Sequence, residues 1–246
     1  MSTPILSVRA LERRVGNTEI LRRIDLDVMP GEAIGVIGPS GSGKSSLLRC
    51  IAGLDEVSGG AVMVEGRQTR PGDGAVGMVF QQFNLWPHLT ARENVALALK
   101  LVRRMPAADA AAKADAALAR VGLGALGGRK PAALSGGQQQ RVAIARTLAM
   151  EPRVLLFDEP TAALDPELTT EVLDVIRDLA AAGTTMLVVS HEMGFVARLS
   201  TRVVFLDHGV VVQAAPPAEL FSPRAEPRVR SFLQTYLDRV AWAREA

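Results

Sequence analysis

The sequence predicts an α/β fold: a mixed sheet that begins with antiparallel strands and carries an inserted helical subdomain. Three observations predict it. A glycine-rich run, Gly38 to Ser46, sits between the apolar stretch Ala33 to Ile37 and a helix-like stretch, Ser46 to Leu54. From residue 153 onward short apolar runs alternate with helical patterns, the signature of parallel strands with helices on their faces. Between these, residues 90 to 120 are rich in Ala, Leu, Arg and Lys and lack strand-like runs.

Taken in order, residues 5–15 and 20–29 read as two strands joined at Gly16-Asn17 and ended by Pro30-Gly31, both turn signals. Ala61 to Glu65 and Val76 to Phe80 are further short strands. Thr90 followed by Glu93 matches a helix cap, and the alanine run Ala107 to Ala119, broken by charges, reads as an exposed helix. Glycines at 122, 124, 127 and 128 interrupt the pattern before a helix that starts at Ser135. Then follow Val154 to Phe157 as strand, Pro166 to Ala181 as helix, Thr184 to Val189 as strand, Gly194 to Leu199 as helix and Val203 to Leu206 as strand. The expected division is a first core part at 1–85, a helical part at 86–149 and a second core part at 150–246.

Composition narrows the function classes. With 246 residues and 48% hydrophobic content the chain can bury a sizeable core. The 28 basic and 26 acidic residues nearly balance, so no nucleic-acid footprint is expected. Cys50 is the single cysteine, which excludes an internal disulfide and suits a reducing compartment. Arg9, Glu12, Arg13 and Arg14 come early, so no cleaved signal is expected, and no apolar run is long enough to span a bilayer. A role at a membrane would therefore run through a partner.

Gly38-Pro39-Ser40-Gly41-Ser42-Gly43-Lys44-Ser45-Ser46 fits G-x-x-x-x-G-K-[ST] in the strand–loop–helix context that pattern requires. Glycines at 38, 41 and 43 permit a tight loop whose backbone N–H groups converge on an anion. The following helix adds its positive N-terminus, Lys44 a mobile charge for the outer phosphates, and Ser45 a hydroxyl for Mg²⁺. The ligand expected is a nucleoside triphosphate. Val154 to Phe157 delivers Asp158 and Glu159 at a strand's C-terminal end, where such sheets place ligands. Asp158 can hold Mg²⁺ and Glu159 can polarise the water that attacks the γ-phosphate. A further run, Leu134-Ser135-Gly136-Gly137-Gln138, admits two readings: a second anion cradle, or a flexible loop with a helix cap at Ser135.

Leu-Ser-Gly-Gly-Gln at 134–138 is the signature of the ATP-binding cassette family, and the chain resembles that family along nearly its whole length. The other elements follow in order: the phosphate loop at 38–45, Gln81 after Phe80, the acidic pair, Ala163-Leu164-Asp165 and His191. The resemblance implies a P-loop NTPase core and a head-to-tail dimer, in which ATP lies between the phosphate loop of one copy and Ser135, Gly136, Gly137 and Gln138 of the other. It further implies that Gln81 touches the metal and the attacking water and senses a transmembrane partner. His191 would contact the γ-phosphate, and Asp165 would couple the two sites.

One position departs from the pattern: the family stacks adenine on an aromatic residue before a glycine, where this chain has Val15 before Gly16, with no Phe, Tyr or Trp earlier than Phe80. Weakened nucleotide affinity and relaxed base choice are the expected consequences. The segment Phe80 to Thr90, with Phe83 and Trp86, resembles the ATPase subunits of bacterial polar amino-acid importers, as does the stretch Pro217 to Leu237. Phe83 and Trp86 either line a groove for a helix of a membrane subunit or are local core. The function implied is ATP hydrolysis that drives import through permease subunits and, indirectly, a solute-binding protein, at the cytoplasmic face of the inner membrane. Alternatives are another transport substrate, export, or a non-transport clamp.

Overall fold

The computed structural model describes residues 3–69, 72 and 74–234. A four-stranded antiparallel sheet has the order β2-β1-β4-β5, from β1 (Leu6–Val15), β2 (Thr18–Val28), β4 (Gly59–Val64) and the two-residue β5 (Arg67–Gln68). A six-stranded sheet has the order β10-β9-β3-β8-β7-β6. Its members are β3 (Ala33–Ile37), β6 (Val76–Val79), β7 (Val154–Asp158), β8 (Met186–Val189), β9 (Arg202–Asp207) and β10 (Val210–Ala215). All its pairs are parallel except β9–β10, which is antiparallel at the edge.

Every residue of β3 and β8 is buried. Those strands are continuous apolar runs rather than alternating ones because both faces are covered. On one face lies α1 (Lys44–Ile51), whose Leu47, Leu48, Cys50 and Ile51 join a core with β1, β2 and β4. The other face packs against α4 (Gly136–Ala149), α5 (Pro166–Ala181) and α6 (Met193–Leu199). Burying a side chain such as Phe157, fully enclosed here, stabilises by about 1.5–3 kcal/mol before the entropy of ordering is counted.

The helical insert comprises α2 (Ala91–Leu101), α3 (Ala107–Arg120) and α4. Thr90 and Glu93 form the expected reciprocal cap at the start of α2. The alanine run differs from expectation: Ala110, Ala114, Ala117 and Leu118 are buried, so α3 turns a small-residue face onto its neighbours and only the opposite face is solvated. Their spacing of four, three and one is a helical stripe, and methyl-sized side chains let helices approach closely. Two strands escape the sequence reading: β5, only two residues long, and β10, whose half-exposed residues follow the left-handed turn at His208 and Gly209. After α7 (Pro217–Leu220) a last helix begins at 227 and reaches residue 234. The end of the stretch expected to resemble importer ATPases, through Leu237, lies outside the described residues.

Candidate functional site

Strand β3 runs into the Gly38–Ser46 loop, which closes tightly. Gly38, Gly41 and Gly43 have φ of 148°, 78° and 103°. At Gly38 a side chain is impossible for a second reason, since a Cβ would lie 2.0 Å from the Leu206 carbonyl oxygen. Gly43 is crowded as well, with Leu21 Cδ2 at 2.9 Å and the Ile20 carbonyl oxygen at 3.0 Å from a would-be Cβ. Gly43 also caps α1 without a side-chain bond, so the first-turn N–H groups keep their capacity for an anion. The loop is braced from β10's turn, where Gly209 N donates to Ser42 O at 3.0 Å.

Lys44 is buried, and its Nζ donates to the carbonyl oxygens of Gly38 and Pro39, each at 2.9 Å. Burial pushes its pKa down, against the opposing pull of Glu159 and Asp158. Pro39 is half-buried, Ser40 and Gly41 are exposed, and Ser42 Oγ is buried without a hydrogen-bond partner among the described residues. Ser45 Oγ donates to Asp158 Oδ1 at 2.8 Å, while Ser46 is half-buried in the same turn of α1.

Asp158 closes β7, which pairs with β8 so that Asp158 lies opposite Val189. This register delivers Glu159 and His191 side by side just beyond the C-terminal ends of the two strands: His191 Nε2 lies 3.0 Å from Glu159 Oε1. Glu159 has φ of 48°, a left-handed backbone for a residue with a Cβ, and its N–H donates to Val189 O at 3.0 Å. Such backbone costs of order 1–3 kcal/mol and persists only where the surroundings impose it. Burial raises the Asp158 pKa, partly offset by the Ser45 hydrogen bond, and neighbouring Glu159 raises it further. Ser45 and Asp158 therefore form a hydrogen-bonded pair of hard oxygen donors beside the glycine-rich loop. That donor set suits Mg²⁺, which takes one or two protein oxygens and completes its shell from phosphates and water. Among the described residues no cluster of three or more His, Cys, Asp or Glu side chains offers a self-sufficient metal cage.

The signature run is built differently. Ser135 caps α4: its Oγ accepts from Gln138 N at 3.2 Å, and Gln138 Oε1 accepts from Ser135 N at 3.1 Å. The Ser135 cap of the second reading is present. Gly136 and Gly137 are helical, and a Cβ on them would meet Leu164 Cδ2 at 2.9 Å and Leu168 Cβ at 3.2 Å. They are small so that α4 can approach α5. Asp165 caps α5, accepting from Leu168 N at 3.1 Å, so Leu164 and Asp165 adjoin the signature run through α5's first turn. The single chain brings together the phosphate loop, Asp158, Glu159 and His191, whereas Ser135, Gly136, Gly137 and Gln138 contact one another and the α5 end instead.

Gln81 is exposed just past β6. Phe83 is half-buried and its Cζ lies 3.7 Å from where a Gly136 Cβ would be. Trp86 is 53% exposed, with its ring 6.1 Å from His88. Hence Phe83 is local packing and Trp86 is not. Val15, 55% exposed, ends β1 at the hairpin whose partner strand packs Ile20 and Leu21 on the phosphate loop. Sequence reasoning missed Gln140 and Arg146 of α4, which hold the main chain on either side of Gln81: Gln140 Nε2 donates to Phe80 O at 2.9 Å, and Arg146 donates to Phe83 O and Asn84 O at 3.2 and 2.6 Å. The readable signal was Gln140, an amide on a helix face otherwise occupied by buried aliphatic residues.

A glycine-rich cradle at a strand–helix junction, with an acid pair and a histidine at adjacent strand ends and a separately capped signature run, defines a cassette-type nucleotide-binding subunit. The ABC transporter family profile matches residues 21–162, and the chain belongs to that family. It is 47% identical to the glutamine transport ATP-binding protein GlnQ of Geobacillus stearothermophilus, across 91% of this chain and 95% of that one. It is likewise 47% identical to the histidine transport ATP-binding protein HisP of Pseudomonas aeruginosa, covering 93% and 97%. Among solved structures, a dimeric ATP-binding cassette in a post-hydrolysis state with ADP and Pi superposes with a TM-score of 0.75 at 35% identity, covering 86% of this chain and 98% of that one. The cbiO1 subunit from Clostridium perfringens gives 0.81 at 27% identity with both chains fully covered.

Proposed function

We propose that this chain is the ATP-hydrolysing subunit that powers uptake of a polar amino acid through partner membrane permease subunits. The observation that carries the reading is the Lys44–Ser45–Asp158–Glu159–His191 constellation around the Gly38–Ser46 loop. The names of its relatives, glutamine and histidine transport ATP-binding proteins, support the substrate class. Two copies meet head to tail, so that ATP on one phosphate loop is closed by Ser135, Gly136, Gly137 and Gln138 of the other. The dimeric form of a similar cassette supports this arrangement. It also accounts for a chain whose two anion-facing segments do not meet within one molecule.

In the proposed mechanism the loop N–H groups and the α1 N-terminus hold the phosphates, and Lys44 leaves the Gly38 and Pro39 carbonyls to pair with the outer ones. Ser45 and Asp158, with Gln81 alongside, would hold Mg²⁺, which would neutralise developing phosphate charge. Glu159 polarises the attacking water in line with the γ-phosphate, and His191 orients Glu159 while reaching the same phosphate. Asp165, fixed as a helix cap beside the signature run, links the two sites of the dimer. Val15 lies at the base end of the site.

Residues 86–149 act as the part that moves against the core formed by 1–85 and 150–246, and exposed Trp86 faces the permease. Among the described residues no helix is long and apolar enough to cross a membrane. In the proposed reading the chain sits at the cytoplasmic face of the inner membrane, attached through the permease. A solute-binding protein sets substrate choice at one remove, and no nucleic acid takes part. Co-expression with candidate permease subunits, followed by reconstitution into vesicles, tests the reading. ATP-dependent accumulation of a polar amino acid is expected, and hydrolysis coupled to efflux of another solute would overturn it.

A further inference from the structure

The signature helix α4 grips the main chain around Gln81 at three points. At the first, Gly77 of β6 lets α4 lie close, because a Cβ there would sit 2.5 Å from Thr147 Cγ2. The second is Gln140, wholly buried, whose amide nitrogen donates to the carbonyl oxygen of Phe80, the peptide oxygen immediately before Gln81. At the third, Arg146 donates to the carbonyls of Phe83 and Asn84, and Asn84 itself has φ of 51°. The carbonyl can only accept, so the Gln140 nitrogen must face it. Its oxygen is then left buried with no hydrogen-bond partner among the described residues. A half-satisfied amide in a helix core contributes little net stability, since the bond it makes to the Phe80 carbonyl is offset by its own orphaned oxygen. What the donor does supply is a fixed position for the Phe80–Gln81 peptide.

We propose that Gln140 is a positioning residue for hydrolysis: it fixes the main chain at Gln81 relative to Ser135–Gly137, three to five residues earlier at the start of the same helix, so that both are carried by α4 as one body. Arg146 is the second grip, holding the segment that leads to Trp86. Displacement of that segment therefore moves the signature run as well, and Gln81 cannot approach the reaction centre unless α4 does. The inference rests on the reading of Gln81 as a water- and metal-side residue.

The test uses the full-length chain and steady-state MgATP hydrolysis. Gln140→Met keeps the length and removes the donor. Its kcat is expected to fall tenfold or more, on the order of the loss that small misplacements cause, with KM for ATP within about twofold and a thermal midpoint within about 4 °C of the parent. An unchanged kcat overturns the proposal, as does a joint loss of kcat, KM and thermal stability. Gln140→Glu supplies an independent reading and decides the matter if the methionine variant fails to fold. The protonated carboxyl donates to the Phe80 carbonyl and the ionised one does not. Its turnover relative to the parent should fall as pH rises, and a pH-independent ratio overturns the proposal. If the parent chain itself neither binds nor hydrolyses ATP, the reading of the site fails instead, and the variants are not what decides it.

Discussion

At the phosphate loop three glycines hold a left-handed or otherwise side-chain-forbidding backbone, and the N–H groups of α1's first turn have no side-chain cap. At the signature run both glycines are helical, and Ser135 and Gln138 satisfy each other's main chain. The first region is built around a ligand and the second around its own helix. The contrast sets two kinds of construction side by side: the core half carries charge and backbone strain, while the helical half has a preformed, internally satisfied helix start, the part that in the proposed dimer would close on a bound nucleotide. The core half should fail when its chemistry is altered, and the helical half when its packing or attachment is.

The largest expected effect tests the core half's claim to the chemistry. Glu159→Gln should lower phosphate release by about 10²–10⁴-fold, the range for removing a general base, and leave equilibrium ATP binding intact. Loss of binding in parallel with turnover would place Glu159 in the cradle rather than at the attacking water.

Next come two alanine substitutions that set the halves side by side. Gly38→Ala drives a Cβ to 2.0 Å from a backbone oxygen, which cannot retreat without moving β9. It should destabilise the chain by about 3 kcal/mol or more and abolish nucleotide binding. Gly136→Ala instead meets Leu164 Cδ2 at 2.9 Å, the far end of a side chain that can rotate away. Its cost should stay below about 1.5 kcal/mol, partly repaid by alanine's better helix propensity. Denaturant midpoints together with ATP titrations compare the two. Equal costs would mean that the signature glycines are as tightly constrained as those of the loop.

A smaller effect concerns the base. Base–aromatic stacking is worth about 1–3 kcal/mol in nucleic-acid sites, and Val15 presents only an exposed aliphatic side chain. Val15→Tyr should tighten ATP binding by about tenfold and raise preference for ATP over CTP, measured by competition. No change would place the base elsewhere on the core half.

The same contrast explains what could be read from sequence. The phosphate loop, the Asp158–Glu159 pair and most strands are local features, because turn geometry and buried apolar runs are written in consecutive residues. The pairing of Glu159 with His191 depends on β7 lying beside β8, which topology supplies and spacing does not. The Ser135 cap was one of two readings that composition alone left open. Gln140 stands out only as an amide on an apolar helix face, and what it and Arg146 hold is not legible, because their partners are main-chain carbonyls about sixty residues away, which carry no residue identity to recognise. The alanine run misled for a related reason: interspersed charges describe one face of α3, and the buried face is made of residues too small to announce it.

The smallest expected effect separates stability from function within the core half. Burial raises the Asp158 pKa above its ordinary value of 3.8, so the folded chain binds this proton more tightly than the unfolded one does. Stability from this group is therefore greatest below the ordinary carboxylate range, declines as pH rises from there through the raised value, and stays at the lower level beyond it. Asp158→Asn keeps an acceptor for the Ser45 hydroxyl and removes the titration. Its unfolding midpoint should exceed the parent's at neutral pH, and the gap should close as the pH drops below the window. Turnover should move the opposite way, with the parent losing activity as Asp158 takes up its proton and the asparagine variant inactive throughout. A stability gap that does not change with pH would mean that the buried carboxylate is already compensated, and that its raised pKa is not what readies the mouth of the loop for a cation.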